Sequence, residues 1–291
     1  MIIIRFKGGL GNQLFQYAFA KRIAIERSEQ LYFDLRYLTS NVYRFIPRDF
    51  KLERLASYKM IDESAEKNYR DFYGTKNAVC LTDDFPKKDI SSLINNSSIK
   101  AILLDGYFQD EFYFAPYLDL IRSEIKTLLK FYYPNGQLSS RLINSERETV
   151  SIHLRRTDYM QTITKSVHGI CEIDYYVKAL GILNSKLSNP YYYLFSDDTQ
   201  EAQRLFENLL KEKTNISAIV QQAPSKEDDL IEMAMMSTCK NFIIANSSFS
   251  WWGSYLSDAK SKLVIAPKRW YLSENLRREA EGIILKSWIR I

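Results

Sequence analysis

The sequence contains little cysteine. Its three cysteines, Cys80, Cys171 and Cys239, lie far apart in the chain, and none of them forms a C-x-x-C pair. This spacing argues against a disulfide framework and against a structural zinc site. We therefore expect a protein of a reducing compartment whose fold depends on a hydrophobic core.

Long apolar runs are also missing. The three isoleucines at the start of the chain are followed directly by Arg5, and Lys7 comes two residues later. Such a run is too short for a signal peptide or for a helix that spans a bilayer. No other stretch of the sequence is long enough to cross a membrane.

A strong charge of one sign is absent as well. The formal net charge of the 291 residues is +5, and the lysines and arginines are spread along the chain without a basic and aromatic run. This pattern does not favour a nucleic-acid partner. Hydrophobic residues at 46% and charged residues at 26% are typical of a folded globular protein.

The order of apolar segments predicts an α/β protein with two domains. Residues 1–138 are expected to form an N-terminal domain, residues 139–270 a C-terminal domain, and residues 271–291 a segment that packs back on the first domain. The turn-like "FYYPNGQLSS" lies at the boundary. Between Tyr37 and Ser98 the sequence predicts only loops and short helices.

Polar residues follow three predicted strands of the second domain. Because ligands of parallel sheets bind beyond the carboxyl ends of the strands, these residues are candidates for a binding site. They are His153, Arg155, Arg156 and Asp158 after the first strand, Asp197 and Asp198 after the second, and Asn246, Ser247, Ser248 and Ser250 after the third. Arginine forks and serine hydroxyls at a helix start together predict a diphosphate site.

Each of these residues also has a structural interpretation. Arg156 and Asp158 can form an internal salt bridge, and Asp198 followed by Glu201 has the spacing of a helix cap. His153 can be a core histidine, and the serines can belong to a turn. The sequence alone leaves both interpretations open.

Two other site types are weaker candidates. "GGLGNQL" resembles a dinucleotide fingerprint, with Asp34 at the end of the next strand, but Leu14 stands where the third glycine is needed. The paired aspartates of "SDD" could hold a divalent metal. Adjacent aspartates at a helix start diverge, however, and one is needed as a cap.

The motifs taken together resemble a known family. "GGLGNQLFQYAFA", "DGYFQ", "IHLRRTDY", "HGICEIDYY", "LFSDD" and "NFIIANSSFSWWGSYL" occur in this order, and they are similar to the bacterial α-1,2-fucosyltransferases of glycosyltransferase family 11. The resemblance extends from Ile2 to about Trp270. The His-x-Arg-Arg-x-Asp element is shared with other fucosyltransferases, whereas "GGLGNQLFQ" and "NSSFSWWG" point to this family.

The resemblance implies a GT-B-like α/β fold, with two Rossmann-type domains facing a cleft. The second domain would hold GDP-β-L-fucose, and the first would hold the acceptor, a galactose-terminated oligosaccharide or lipid-linked glycan. Fucose would be transferred to O2 of the galactose with inversion. The family implies no cofactor and no catalytic metal.

The resemblance also implies roles for single residues. Arg155 would neutralise the β-phosphate as GDP departs, and Arg156 would position the loop. His153 and one of Asp197 or Asp198 would read the guanine. The remaining donor-side candidates are the loop of Asn246, Ser247 and Ser248 and, from the first domain, Gly11, Asn12 and Gln13.

The catalytic base and the acceptor are left open. Asp158, His168 and Glu172 are candidates for the base, and none stands out. A fucosyltransferase of another linkage, or a non-catalytic protein that binds guanine nucleotides or glycans, would share the same fold. Animal relatives carry an amino-terminal anchor that this sequence lacks, so we expect a cytoplasmic enzyme that associates peripherally with the inner membrane.

Overall fold

The computed structural model describes residues 1–39, 48–55, 58–72, 74–133, 148–156, 169–198, 200–204, 206, 218–219, 228–273 and 282–291. The chain divides into two compact units, Met1–Leu128 and Leu129–Ile291. Each unit contains one parallel sheet with helices. The predicted class of two α/β domains is therefore confirmed.

The first unit contains a five-stranded sheet with the order β3-β2-β1-β5-β4. Its strands are β1 (Ile2–Arg5), β2 (Leu31–Asp34), β3 (Lys59–Met60), β4 (Ala78–Leu81) and β5 (Ala101–Leu104). Every pairing is parallel. The near-continuous burial of β1 and β5 is what a parallel strand covered on both faces requires.

The helices of the first unit are α1 (Leu10–Arg27), α2 (Arg36–Thr39), α3 (Glu63–Phe72), α4 (Ile90–Ile94) and α5 (Leu118–Tyr132), the last of which ends in the second unit. The sequence predicts a turn over "GGLGNQ" and a helix from Leu14 to about Gln30, but α1 begins four residues earlier, because Gly9 is already its N-cap. The turn after β1 is consequently short, and Gly8 takes the positive φ of 79° that it requires. Asn12 and Gln13 therefore lie in the first turn of a helix.

The region between Tyr37 and Ser98 contains two strands that the sequence did not reveal, β3 and β4. Strand β4 lies at the edge of the sheet and pairs only with β5. Its burial is incomplete, since only Leu81 is fully buried. An edge strand lacks the continuous apolar run that identified the central strands.

The second unit contains a six-stranded sheet with the order β11-β10-β9-β6-β7-β8. Its strands are β6 (Thr149–Leu154), β7 (Tyr191–Ser196), β8 (Ala218–Ile219), β9 (Asn241–Ile243), β10 (Val264–Ala266) and β11 (Ile289–Arg290), and its further helices are α6 (Ile173–Lys186), α7 (Asp228–Ser237) and α8 (Ser248–Tyr255). The core below β6 includes Val150, Ile152 and Leu154.

The C-terminal residues complete this second sheet. Strand β11 pairs in parallel with β10, and the indole Nε1 of Trp251 donates to the carbonyl of Ile283 at 2.6 Å. Trp288 packs against the ring of Trp251. The sequence led us to expect that residues 271–291 pack on the first domain. The end of this segment instead belongs to the second unit, because β11 extends the second sheet.

Among the described residues, no helix combines the length and the apolar character needed to cross a bilayer.

Candidate active site

The predicted site residues of the second unit meet at one edge of the sheet. Strand β6 lies between β9 and β7, with Ile152 opposite Ile243 and Leu154 opposite Ser196. All three strands are parallel, so their carboxyl ends point the same way. The residues that follow them are therefore neighbours at the edge where parallel sheets bind ligands.

Arg155 and Asp197 form an ion pair at this edge. The Nε atom of Arg155 lies 3.2 Å from Oδ2 of Asp197, and the two side chains are 21% and 14% exposed. The other carboxylate oxygen of Asp197 accepts a hydrogen bond from the backbone N–H of Arg156 at 2.8 Å. The Asp197 carboxylate thus orients both the guanidinium and the backbone of the double-arginine segment.

Arg156 has a different environment from its neighbour. Its side chain is buried, and Nη1 donates to the carbonyl oxygen of Cys171 at 3.1 Å. This contact ties the end of β6 to the segment before α6, which suits the positioning role predicted for Arg156. Its expected partner Asp158 lies outside the described residues.

Asp198 caps the helical turn at residues 200–204. Its Oδ1 accepts from the backbone N–H of Glu201 at 2.9 Å, and its own N–H donates to the hydroxyl of Ser196 at 3.0 Å. The predicted cap is therefore confirmed. Of the two aspartates, Asp197 is the one that contacts Arg155.

His153 is a buried titratable group inside this site. Its side chain is 2% exposed, its Nδ1 has no hydrogen-bond partner within the described part of the chain, and its ring lies 5.5 Å from that of Phe249 in α8. Burial lowers the pKa of His153 to about 4, Asp197 opposes this shift and Arg155 adds to it. A neutral, buried ring nitrogen without a partner needs an explanation, and a bound ligand would supply one.

The loop between β9 and α8 provides both a structural and a binding element. The side-chain amide of Asn246 is buried and donates to the carbonyl oxygens of Gly169 and Trp270 at 3.4 and 3.2 Å. Ser247 is the N-cap of α8, and Ser248 is the first residue of the helix. Because the N-terminal N–H groups of a helix attract anions, the serines are better placed for phosphate than Asn246 is.

The first-unit candidates lie on α1, in a separate unit from the residues above. Gln13 is completely buried, its amide donates to the carbonyls of Gly8 and Asp49, and its oxygen accepts from Lys51 N–H. Gln13 is thus committed to the fold, and the expectation that it contacts the donor has no support. Gly11 is also buried in α1. The side-chain oxygen Oδ1 of Asn12 accepts a hydrogen bond from Gln109 Nε2 at 2.6 Å.

The base candidates remain unassigned. Glu172 is exposed and is the N-cap residue of α6, next to the Cys171 carbonyl that Arg156 contacts. His168, like Asp158, lies outside the described residues. Among the base candidates that the structure describes, Glu172 lies near the double-arginine segment.

Sequence reasoning missed three residues that shape the site. The hydroxyl of Tyr176 donates to the carbonyl of His153 at 3.0 Å, and that of Tyr175 donates to the carbonyl of Ile244 at 2.6 Å. Burial raises the pKa of both tyrosines well above the usual value. Phe249 is the third. The motifs "EIDYY" and "NSSFSWWG" contain these residues. Their contacts with residues that are distant in the chain cannot be predicted from the sequence.

Within the described part of the chain, no group of three or more histidine, cysteine, aspartate or glutamate side chains is arranged to hold an ion. The two aspartates once considered for a metal are engaged with Arg155, Arg156 and the cap of residues 200–204.

Comparison with known proteins decides the family. The model described as "Glycosyl transferase family 11" matches residues 83–291. The chain belongs to glycosyltransferase family 11. The family resemblance read from the motifs is thereby confirmed.

Relatives extend this similarity over the whole chain. An α-1,2-colitosyltransferase of Escherichia coli is 29% identical, over 100% of this chain and 99% of the relative. The O-antigen biosynthesis glycosyltransferase WbnK of Escherichia coli is also 29% identical, over 98% of each chain. Among solved structures, a mutant of Arabidopsis thaliana FUT1 in complex with GDP has a TM-score of 0.50 at 13% identity, covering 90% of this chain and 69% of that one. The last likeness concerns the fold, which is GT-B-like.

Proposed function

We propose that this glycosyltransferase moves L-fucose from GDP-β-L-fucose to O2 of a terminal galactose, with inversion at the transferred carbon. Membership of family 11 establishes sugar transfer. The donor, the acceptor and the linkage are the parts that we add.

The ion pair of Arg155 with Asp197 carries the proposal. In an inverting displacement the acceptor oxygen attacks the anomeric carbon while the bond to the β-phosphate breaks, so negative charge grows on the departing diphosphate. Arg155 follows β6 at the ligand-binding edge, and Asp197 holds its Nε at 3.2 Å. A preorganised guanidinium stabilises developing charge without reorganising during the reaction.

The rest of the edge supports a nucleotide diphosphate. The start of α8, at Ser247 and Ser248, offers N–H groups and hydroxyls to phosphate oxygens. Since Asp198 is used as a cap, Asp197 is the carboxylate available to contact guanine N–H groups, with His153 beside it. Guanine offers such a carboxylate paired donors that adenine lacks.

The reaction is proposed to need neither a metal nor a cofactor. Both aspartates of "SDD" have protein partners, which supports assigning the charge of the leaving group to Arg155. Glu172, Asp158 or His168 would accept the proton of the attacking hydroxyl. A lipid-linked acceptor and peripheral membrane association remain part of the proposal.

A second donor is favoured by one observation. The relative named α-1,2-colitosyltransferase covers the entire chain at 29% identity. Colitose is L-fucose without the 3-hydroxyl, so the two donors differ by a single group. A site that hydrogen-bonds a hydroxyl discriminates strongly against an analogue that lacks it.

The test is to incubate the purified protein with GDP-fucose or GDP-colitose and with N-acetyllactosamine, in the presence of EDTA. We expect transfer from GDP-fucose, with the new linkage mapped by NMR to O2 of galactose. N-acetylglucosamine alone is the matched acceptor control, since it lacks the galactose. Exclusive use of GDP-colitose would favour the second donor.

A product linked elsewhere would overturn the proposed linkage, and binding of GDP without transfer to any galactoside would favour a non-catalytic protein.

A further inference from the structure

The turn that follows β5 lies at the carboxyl edge of the first sheet. It corresponds to the "DGYFQ" motif, residues 105–109. Strands β1 and β5 are direct neighbours, with Ile4 opposite Leu104, and the strand order departs from β1 in opposite directions, toward β2 and toward β5. Such a switch point at the carboxyl edge is where parallel sheets bind ligands. The first unit thus has a candidate edge of its own.

The turn is held in a strained conformation. The carboxylate of Asp83 accepts from the backbone N–H groups of Tyr107 and Phe108, at 2.9 and 2.7 Å. Phe108 has a φ of 52°, which is unusual for a bulky residue. A Cβ on Gly106 would lie 2.8 Å from the Phe108 ring and 3.0 Å from Asp83. Strain that the surroundings enforce is characteristic of binding sites.

A buried glutamine links the turn after β5 to the residues that follow the neighbouring strand β1. The amide nitrogen of Gln16 donates to the carbonyls of Lys7 and Gly106 at 3.2 and 3.1 Å, and its oxygen accepts from Lys7 N–H at 3.2 Å. Gln16 is completely buried. Gln16 therefore holds the backbone at Lys7 and the backbone at Gly106 in a fixed arrangement.

The locked turn carries an amide pair and an aromatic ring. Gln109 donates to Asn12 at 2.6 Å, and the half-buried ring of Tyr107 has the Lys7 ammonium 5.3 Å from its centroid. Burial raises the pKa of Tyr107 to about 12, so its hydroxyl keeps the proton at neutral pH. Amides and a phenol exchange hydrogen bonds with hydroxyl groups, and a ring face packs on C–H groups.

The charges beside this turn are matched in pairs. Arg5 contacts Asp105 at 2.7 Å, and Lys7 contacts the other oxygen of Asp105 at 2.9 Å. Arg5 also lies 3.4 Å from Asp34. Asp34 also pairs with Arg36, at 2.8 Å. These three cations are thus paired with carboxylates, which suits a neutral ligand better than a diphosphate.

We propose that Asn12, Tyr107 and Gln109 form the subsite for the acceptor sugar, a neutral galactose-class pyranose. This inference rests on the proposed function, which supplies the galactoside. Within it, Gln109 is a positioning residue for the amide of Asn12, and Tyr107 contacts the sugar. Asn12 would thereby serve the acceptor, where the sequence led us to expect contacts with the donor.

The test compares Gln109→Glu with Gln109→Ala and with the control Gln30→Ala. Glutamate keeps the size of glutamine but, when ionised, cannot donate to Asn12. Gln30 is an exposed residue at the amino end of β2, on the opposite edge of the same sheet. We expect both Gln109 variants and Tyr107→Leu to weaken binding of N-acetyllactosamine about tenfold, the effect of one lost hydrogen bond that leaves a partner unsatisfied. The Kd for GDP should stay within twofold, and Gln30→Ala should match wild type.

Direct binding keeps this test separate from the test of transfer. Calorimetry measures N-acetyllactosamine on the GDP-loaded protein, with melting temperatures of all variants as the folding control. If wild type binds N-acetyllactosamine through these residues but transfers no fucose, the proposed function fails and the subsite stands. Wild-type affinity for N-acetyllactosamine in correctly folded Gln109 and Tyr107 variants, or a loss of GDP affinity instead, would overturn the subsite. Failure of wild type to bind any galactoside would overturn it as well.

Discussion

The carboxyl edges of the two sheets are built from similar parts but carry different electrostatics. Arg5 is the last residue of β1 and lies 2.7 Å from Asp105 and 3.4 Å from Asp34. Arg155 follows β6 and lies 3.2 Å from Asp197, beside a buried histidine whose Nδ1 has no hydrogen-bond partner among the described residues. This difference supports our proposals of a neutral ligand at the first edge and an anionic ligand at the second.

Replacing the two arginines tests this comparison most strongly. Arg155→Lys keeps the charge but loses the planar fork, so kcat should fall about a hundredfold, the cost of one donor to developing charge. Arg5→Lys should instead lower the melting temperature and leave the Kd for GDP unchanged, because its partners are carboxylates of its own unit. Steady-state kinetics, calorimetry and thermal unfolding of both variants provide the measurements.

The opposite result would reverse the assignment. Near wild-type kcat in Arg155→Lys, with a large loss in Arg5→Lys, would place the anionic ligand at the first edge. Arg156→Lys is a useful third variant, because its contact with the Cys171 carbonyl predicts a loss of thermal stability.

The buried histidine gives the second edge a pH dependence between pH 6.5 and 4, whereas the lowered pKa of Asp34 makes the first edge sensitive only to more acidic pH. The pKa of His153 is about 4 in the folded chain, mainly through burial, against about 6.5 when unfolded. The unfolded state therefore binds the proton first, and the free energy of unfolding should fall by on the order of 2–3 kcal/mol as the pH drops from 6.5 to 4. Above pH 6.5 this contribution is constant.

Denaturant unfolding of wild type and His153→Gln across this range checks the prediction. The variant should lose that part of the pH slope, whereas the carboxylates common to both proteins cancel in the difference. Parallel slopes in the two proteins would mean that His153 is not held neutral by burial.

The neighbouring aspartates should separate stability from nucleotide binding. Asp198→Ala removes the cap that Glu201 N–H donates to, so it should cost about 1 kcal/mol of stability. Asp197→Ala should instead reduce the affinity for GDP, because Arg155 loses its orienting partner. Equal effects of the two variants on the Kd for GDP would contradict this division.

The smallest effect is expected from metal removal. If Arg155 carries the charge of the leaving diphosphate, excess EDTA should leave the rate of transfer unchanged. Activity that disappears with EDTA and returns with added Mn²⁺ would show that the arginine does not act alone.

The sequence alone predicted the central strands and the polar residues that follow their carboxyl ends. The sequence predicts a strand at Val150–Leu154 and a helix at Ile173–Leu187, and β6 begins one residue earlier while α6 ends one residue earlier. The strand was predictable because a continuous apolar run marks a buried parallel strand. The cap at Asp198 followed from local spacing. These features depend on residues close in the chain.

Features that depend on distant contacts were not predictable. The start of α1 was placed at Leu14 because glycines suggested a turn, yet Gly9 caps the helix and Gln13 is buried by bonds to residues 49 and 51. The role of Gln16, which joins the ends of β1 and β5, needs the sheet order. Edge strand β4 was missed for the same reason, since only its pairing with β5 identifies it.

Binding of nucleotides to the second edge tests the central claim most directly. Calorimetry should be carried out with GDP and ADP on wild type, Arg155→Ala and Arg5→Ala, in EDTA and at fixed salt. The account predicts that wild type binds GDP much more tightly than ADP, that Arg155→Ala loses most of the GDP affinity, and that Arg5→Ala retains it. Equal affinities for GDP and ADP, or retention of GDP binding by Arg155→Ala with its loss in Arg5→Ala, would contradict the account.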